Sequence, residues 1–269
     1  MIAEIGGRRF DWGSRTYVMG IVNVTPDSFS GDGVGADLEM AVDQGMRMVR
    51  EGADMLDVGG ESTRPGHVPV SADEEIARTE SVVRRLARDS GVPVSIDTYK
   101  LQVAEVAVAA GATILNDVWG LTRSPAIADL AAAHGTALVL MHNQDGTEYA
   151  GDLMEEVKRF LSVAAARAMA AGVPKERVIV DPGIGFGKTA DQNWEVMRRF
   201  AELRELGHPI LVGTSRKSFI GKLLDLPVDE RLEGTAATVV ASILRGADIV
   251  RVHDVLEMTR AVRAADRMR

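Results

Sequence analysis

Polar residues recur in one setting along this chain, at the end of a short apolar run and just before a polar or glycine-rich loop. Asn23 closes YVMGIVN, Asp57 sits in DMLDVG, Asp97 closes PVSID, Asn116 and Asp117 close TILND, His142 closes ALVLMH, Asp181 closes RVIVD, and Arg251, His253 and Asp254 end DIVRVHD. An aspartate in such a place is often the N-cap of the next helix, an alternative that stands for Asp57 and Asp254; Asp97 and Asp181 have otherwise apolar flanks and favour it less. Strand side chains alternate with period two, so Arg251 and His253 face the same way and suggest an anion site, or else a salt-bridged strand end.

The loops add cations and free amides. In GGESTRPG, Arg64 is carried between Thr63 and Pro65, where a guanidinium suits a phosphate, although an ordinary solvated loop reads the same way. In GTSRKSFIGKLL, Ser215 to Ser218 lead into a helix with apolar Phe219, Ile220, Leu223 and Leu224, and the amides at its start join Arg216 and Lys217 as an anion site. NVTPDSFSGDG, rich in Gly, Pro and Ser, reads as a mobile loop able to close over a ligand. PGIGFGKT (182–189) imitates a phosphate loop at Gly187, Lys188 and Thr189. Pro182, however, occupies the first glycine position, supplies no amide hydrogen and spoils the donor ring. A dinucleotide fingerprint fails as well, since Lys188 stands where the third glycine belongs.

These residues need a scaffold that brings many strand ends together. Eight β-rich runs, at 17–23, 54–59, 93–97, 113–117, 137–142, 177–181, 209–213 and 248–253, alternate with helical stretches such as LEMAVDQGMRMVREGA, EEIARTESVVRRLARDSG and DLMEEVKRFLSVAAARAMAAG. A glycine ends most helical stretches, as in EGAD, SGVP, AGAT, HGTA, AGVP, LGHP and RGAD, and reads as a C-terminal cap. Eight repeats predict an α/β chain folded as one (β/α)8 TIM barrel over residues 1–269, with residues 1–16 as a short N-terminal hairpin closing the barrel bottom. In that fold, catalytic groups gather at the C-terminal ends of the strands, where the polar residues above lie.

Composition bounds the function. With 46% hydrophobic residues in 269, the chain supports a large aliphatic core; its net charge of −8 works against an extended nucleic-acid footprint. There is no cysteine, which is compatible with a reducing cytoplasm, and neither a secretory signal nor a membrane-spanning run is expected.

NVTPDSFSGDG, DVGGESTRPG, SIDT, NDVWG, DPGIGFGKT, VGTSRKSFIG and RVHD, in this order from about residue 17 to 255, closely resemble dihydropteroate synthase, with no departure at the positions that carry function there. Pterin-binding methyltransferases share the barrel but are not expected to carry NVTPDSFS, STRPG and SRKS together. The resemblance implies condensation of 6-hydroxymethyl-7,8-dihydropterin diphosphate with 4-aminobenzoate, by a dissociative route in which the C–O bond breaks before the amine attacks. It implies pterin contacts at Asp97, Asn116, Met141, Asp181, Gly213 and Lys217, and diphosphate contacts at Asn23, Thr63, Arg64, Arg251 and His253. It further implies aminobenzoate contacts at Phe29, Ser30, Pro65, Phe186, Lys217 and Ser218, with Asp97, Arg64 and Lys217 as the catalytic residues. Mg2+ is implied, with Asn23 as its one protein ligand, as is a homodimer through barrel helices. Whether sulfonamides compete turns on the geometry around Phe29, Ser30 and Pro65. His142 stays open between ligand contact and strand cap, while Lys188 and Thr189 are read as the start of the next segment, without a catalytic role.

Overall fold

The computed structural model describes residues 1–24, 34–61 and 69–269, with side chains from residue 38 onward in the first helix. Strands β1 (Ile2–Ile5) and β2 (Arg8–Asp11) pair antiparallel with Ile2 opposite Asp11. Gly6 and Gly7 join them at φ of 55° and 72°, the two positive angles a type I′ hairpin demands. Eight parallel strands follow: β3 (Tyr17–Asn23), β4 (Met55–Gly59), β5 (Val94–Asp97), β6 (Ile114–Asp117), β7 (Ala137–Met141), β8 (Val178–Asp181), β9 (Leu211–Val212) and β10 (Ile249–Val252). They hydrogen-bond in the order β8-β7-β6-β5-β4-β3-β10-β9. A parallel bridge between Val180 and Ile210, with the Val180 amide donating to the Pro209 carbonyl at 2.9 Å, closes the ring.

Helices separate the strands: α1 (Val34–Glu51), α2 (Ala72–Asp89), α3 (Leu101–Ala109), α4 (Ile127–His134), α5 (Leu153–Ala170), α6 (Ala190–Arg198), α7 (Ser218–Leu224), α8 (Leu232–Leu244) and α9 (Val255–Ala265). Local chemistry sets their ends. Ser71 and Asp152 accept the N3 amides of α2 and α5, and Thr189 forms a reciprocal capping box with Gln192 at α6. Gly135 ends α4 in the left-handed region at φ 63°.

Period two in the strands produces two cores. The outward residues, among them Val18, Val22, Leu56, Val58, Val94, Ile96, Leu115, Leu138, Val180 and Val250, pack under the helices. The inward residues Tyr17, Met19, Met55, Ile114, Ala137, Val139, Ile179, Leu211 and Ile249 form a separate cluster with Ala3, Ile5, Phe10 and Trp12 of the hairpin. The hairpin therefore seals the barrel at the N-terminal ends of the strands. Phe10, Trp12 and Tyr17 pack ring against ring with centroids 4.9 to 5.3 Å apart, and Trp12 Nε1 donates to the Glu176 carbonyl at 3.0 Å. With the lower half of the barrel filled by apolar side chains, the inward positions left for polar groups lie at the opposite mouth.

Candidate functional site

On several strands the inward series carries polar residues toward the mouth: Asp57 above Met55 on β4, Asp97 above Ser95 on β5, Asn116 above Ile114 on β6, Asp181 above Ile179 on β8 and Arg251 above Ile249 on β10. Register makes neighbours of these strand ends, with Asn23 opposite Gly59, Gly59 opposite Asp97, Asp97 opposite Asn116, and Met141 opposite Asp181.

Arg251 reaches across the mouth. Its Nε donates to Asp57 Oδ2 at 2.6 Å and its Nη2 to Asp97 Oδ2 at 2.8 Å, while Asn116 Nδ2 donates to the same Asp57 oxygen at 3.0 Å. All three acceptor and amide residues are buried. Burial raises the Asp97 pKa to about 7, against the opposing pull of Arg251. Oδ1 of Asp57 and Oδ1 of Asp97 are buried without a hydrogen-bond partner among the described residues. A buried carboxylate oxygen left open is costly unless something donates to it, so the Asp97 atom marks where a ligand N–H fits.

On the other side stands the loop after β8. Asp181 Oδ1 accepts the Gly183 amide at 2.7 Å, and its pKa is raised by burial. Lys217, at the N-cap of α7, donates from Nζ to the Ile184 carbonyl and lies 4.0 Å above the centroid of the Phe186 ring. Burial lowers its pKa to about 8, partly offset by Asp181. The side chain of Met141 is buried at the end of β7, and Gly213 lies beside Arg251. His253 Nδ1 is 2.9 Å from Ser215 Oγ. Ser218 is exposed at the first residue of α7, whose cap makes no side-chain bond, so the amides of Ser218 and Phe219 remain available while that of Ile220 bonds the Lys217 carbonyl.

The structure thus brings together Asn23, Asp97, Asn116, Met141, Asp181, Phe186, Gly213, Lys217, Ser218, Arg251 and His253 at one mouth. Phe29, Ser30, Thr63, Arg64 and Pro65 lie outside the described residues.

Three sequence expectations change. Arg216 is committed to an ion pair with Asp254, Nε to Oδ2 at 3.0 Å, which leaves Lys217 as the cation beside α7. His142 turns its ring away from the mouth, edge-on to Phe160 and stacked near Tyr149. Lys188 is not simply the start of the next segment: it is buried, with Nζ 2.9 Å from His142 Nδ1 and 3.1 Å from the carbonyls of Gly183 and Phe186. Thr189 alone begins that segment, as the cap of α6. Asp117, by contrast, is a loop former: it faces outward and accepts the amides of Trp119 and Leu121 at 2.8 and 2.7 Å.

Asp57 was the main omission. Strict alternation from Met55 puts it on the inward face, a signal that the N-cap alternative concealed.

Mg2+ finds no carboxylate nest, since no group of three acidic or histidine side chains suited to a metal occurs among the described residues. For the implied ion the mouth offers the carboxamide of half-buried Asn23. That fits an ion held chiefly by water and substrate phosphate oxygens.

Comparison with known proteins agrees with this geometry. Residues 19–253 match the model of a family described as pterin binding enzyme. The chain is similar to the dihydropteroate synthase of Clostridium beijerinckii, 51% identical over 98% of each chain. It is similar to the crystal structure of that enzyme from Clostridium difficile in the presence of pteroic acid, with TM-score 0.94 and 52% identity, covering 96% of this chain and 98% of the other. The Xanthomonas albilineans enzyme with 4-aminobenzoic acid superposes with TM-score 0.94 at 41% identity, covering 99% of this chain and 97% of that one.

Proposed function

We infer the reaction from one premise: the chain belongs to the pterin binding enzymes and, among them, to the dihydropteroate synthases. It condenses 6-hydroxymethyl-7,8-dihydropterin diphosphate with 4-aminobenzoate to give 7,8-dihydropteroate and pyrophosphate. The roles proposed for its side chains follow from the two walls of the mouth. The observation that carries them is the pair of buried carboxylates, Asp97 and Asp181, facing one space across the barrel, the first with an open oxygen.

Asp181 Oδ1 is held by the Gly183 amide, and Oδ2 takes no hydrogen bond from the described residues, so the carboxylate is oriented and still able to accept from the amino-pyrimidine edge. Asn116, anchored through Nδ2 on Asp57, keeps its carbonyl oxygen for a ring N–H. Lys217 donates from the other side, with its ammonium over the Phe186 ring, which would wall the aminobenzoate ring, and the Ser218 amide would take the carboxylate. Diphosphate falls to Asn23, Arg251 and His253, with Thr63 and Arg64 from outside the described residues. Asn23, with the substrate phosphates, would hold Mg2+, which when bound would neutralise charge on the departing diphosphate.

The C–O bond of the methylene breaks and its electron pair leaves with the diphosphate. The developing cation is stabilised by anionic Asp97. The aniline nitrogen then bonds to the methylene and gives up one proton to solvent. We further propose a homodimer, supported by exposed Leu223, Leu224 and Leu244 beside a groove between α6, α7 and α8, and a cytoplasmic setting.

Pyrophosphate release from the pterin diphosphate, followed with and without 4-aminobenzoate, tests the whole. Release coupled to dihydropteroate formation is expected, and its absence would refute the assignment. Chelation of divalent cations should stop turnover and added Mg2+ restore it, with Asn23→Ala raising the Mg2+ needed.

A further inference from the structure

We propose that Lys188 is a positioning residue: its ammonium, buried inside the loop 182–189, holds that loop in the conformation that presents Asp181, Phe186 and the carbonyl seat of Lys217 to the pterin.

The inference starts from an ammonium in a place where an apolar side chain would be cheaper. Lys188 is 8% exposed, and none of the described carboxylates comes within salt-bridge distance of it. Desolvating a cation without a counter-ion is unfavourable, and it is tolerated only where every N–H is satisfied. Here the three donors have three acceptors: His142 Nδ1 at 2.9 Å, the Gly183 carbonyl at 3.1 Å and the Phe186 carbonyl at 3.1 Å. Burial lowers the pKa of His142 to about 3, so its ring is neutral and Nδ1 is free to accept.

Each acceptor leads to a group at the mouth. The Gly183 whose carbonyl is held donates its own amide to Asp181 Oδ1 at 2.7 Å. Phe186, whose carbonyl is held, lays its ring under Lys217, and Ile184 between them accepts the Lys217 ammonium. His142 is tied back to Asp181, its amide donating to the Asp181 carbonyl at 2.9 Å. The loop has little room to adjust, because a Cβ on Gly183 would stand 1.9 Å from the His142 carbonyl oxygen and one on Gly187 2.7 Å from Gln144 Cγ. The outer turn is pinned independently: Asn193 Oδ1 accepts the Gly185 amide at 2.6 Å and Tyr149 donates to the Gly187 carbonyl at 2.9 Å. Lys188 therefore ties His142, Gly183 and Phe186 together from inside, beside the bond of Lys217 to Ile184, and its loss would misplace several pterin-facing groups at once.

The proposal rests on the pterin reading of the site, and the experiment separates the two. Calorimetry with 6-hydroxymethylpterin and, separately, with pyrophosphate compares the parent chain with Lys188→Met, which keeps length and removes the charge. Pterin binding is expected to weaken about tenfold or more, with pyrophosphate binding within about threefold, since none of its proposed contacts belongs to the loop. Pterin affinity within about fivefold of the parent, or equal loss of both ligands by folded protein, would overturn the positioning role. A parent chain that binds no pterin would remove the reading itself together with the inference. Should Lys188→Met not fold, Lys188→Cys alkylated with 2-bromoethylamine rebuilds the ammonium at a single position, because the chain contains no cysteine. Pterin binding restored relative to the methylated thiol supports the proposal, and a folded adduct without recovery refutes it.

Discussion

Asp57 and Asp97 show how little separates a supporting carboxylate from a reacting one. Both share Arg251, but Asp57 is fully buried and also anchors Asn116, whereas Asp97 ends its strand at the open mouth. Asp57→Ala leaves the Arg251 guanidinium and the Asn116 amide with lost partners, and breaking a buried pair costs about 3 to 5 kcal/mol. Urea unfolding should show that loss, with turnover reduced because Arg251 and Asn116 are no longer aimed; unchanged stability would mean the pair relaxes to solvent. A second outcome follows from the pKa values at the mouth. Anionic Asp97, near 7 through burial, is required on the acid side, and protonated Lys188 and Lys217, near 7 and near 8 through burial, on the alkaline side. Since kcat/KM reports the free enzyme, its profile should be a narrow bell centred between those values, and a plateau reaching well beyond them would contradict the assignment. The polar strand ends were legible in the sequence because each interrupts an apolar run. Which of them pair with one another was not, since Arg251 and Asp57 are 194 residues apart and meet only through barrel closure.

At the scale of elements, the strands read from periodicity reappear within a residue or two, while the first helix starts at Val34, ahead of the stretch that begins at Leu38. The glycines after the helices take positive φ because the chain must reverse there, as Gly135 and Gly207 do in the left-handed region. The hairpin expected at the barrel bottom from the turn signals of residues 1–16 is there, and its aromatic residues form the floor of the barrel. This division of labour has a consequence: the floor should govern stability and leave chemistry alone. Trp12→Ala removes a buried indole that packs on Phe10 and Tyr17 and bonds the Glu176 carbonyl, a truncation of the kind that costs about 3 to 5 kcal/mol. Chemical denaturation should register that cost while kcat and KM stay within about twofold, and a large rise in KM would show that floor and mouth are coupled. The loop after β8 is the element the sequence described least well. Its GKT ending imitates a phosphate cradle, yet the direction of Lys188, inward onto His142, depends on where β7 ends beside it.

For the molecule as a whole, the site sets a charge pattern that the fold must carry without ligand. Lys188 and Lys217 are both held below the ordinary lysine value, at about 7 and about 8, with burial the leading cause in each. In the unfolded chain both return to about 10.4. Between pH 8 and 10 the unfolded chain therefore binds more protons than the folded one, and stability must rise with pH in that window. The buried carboxylates do not oppose this, since Asp97 near 7 and Asp117 near 6 are ionised in both states there. Ligand-free protein should accordingly gain on the order of a few kcal/mol from pH 8 to pH 10, read as a rising urea midpoint. Lys217→Met should remove part of that slope. The same interval is where kcat/KM is expected to fall, so a loss of activity that accompanies a gain of stability would mark the alkaline limb as titration of the site rather than unfolding of the barrel. A stability curve that falls steadily through the interval would place the ammonium groups of Lys188 and Lys217 in contact with water and remove the basis for both expectations.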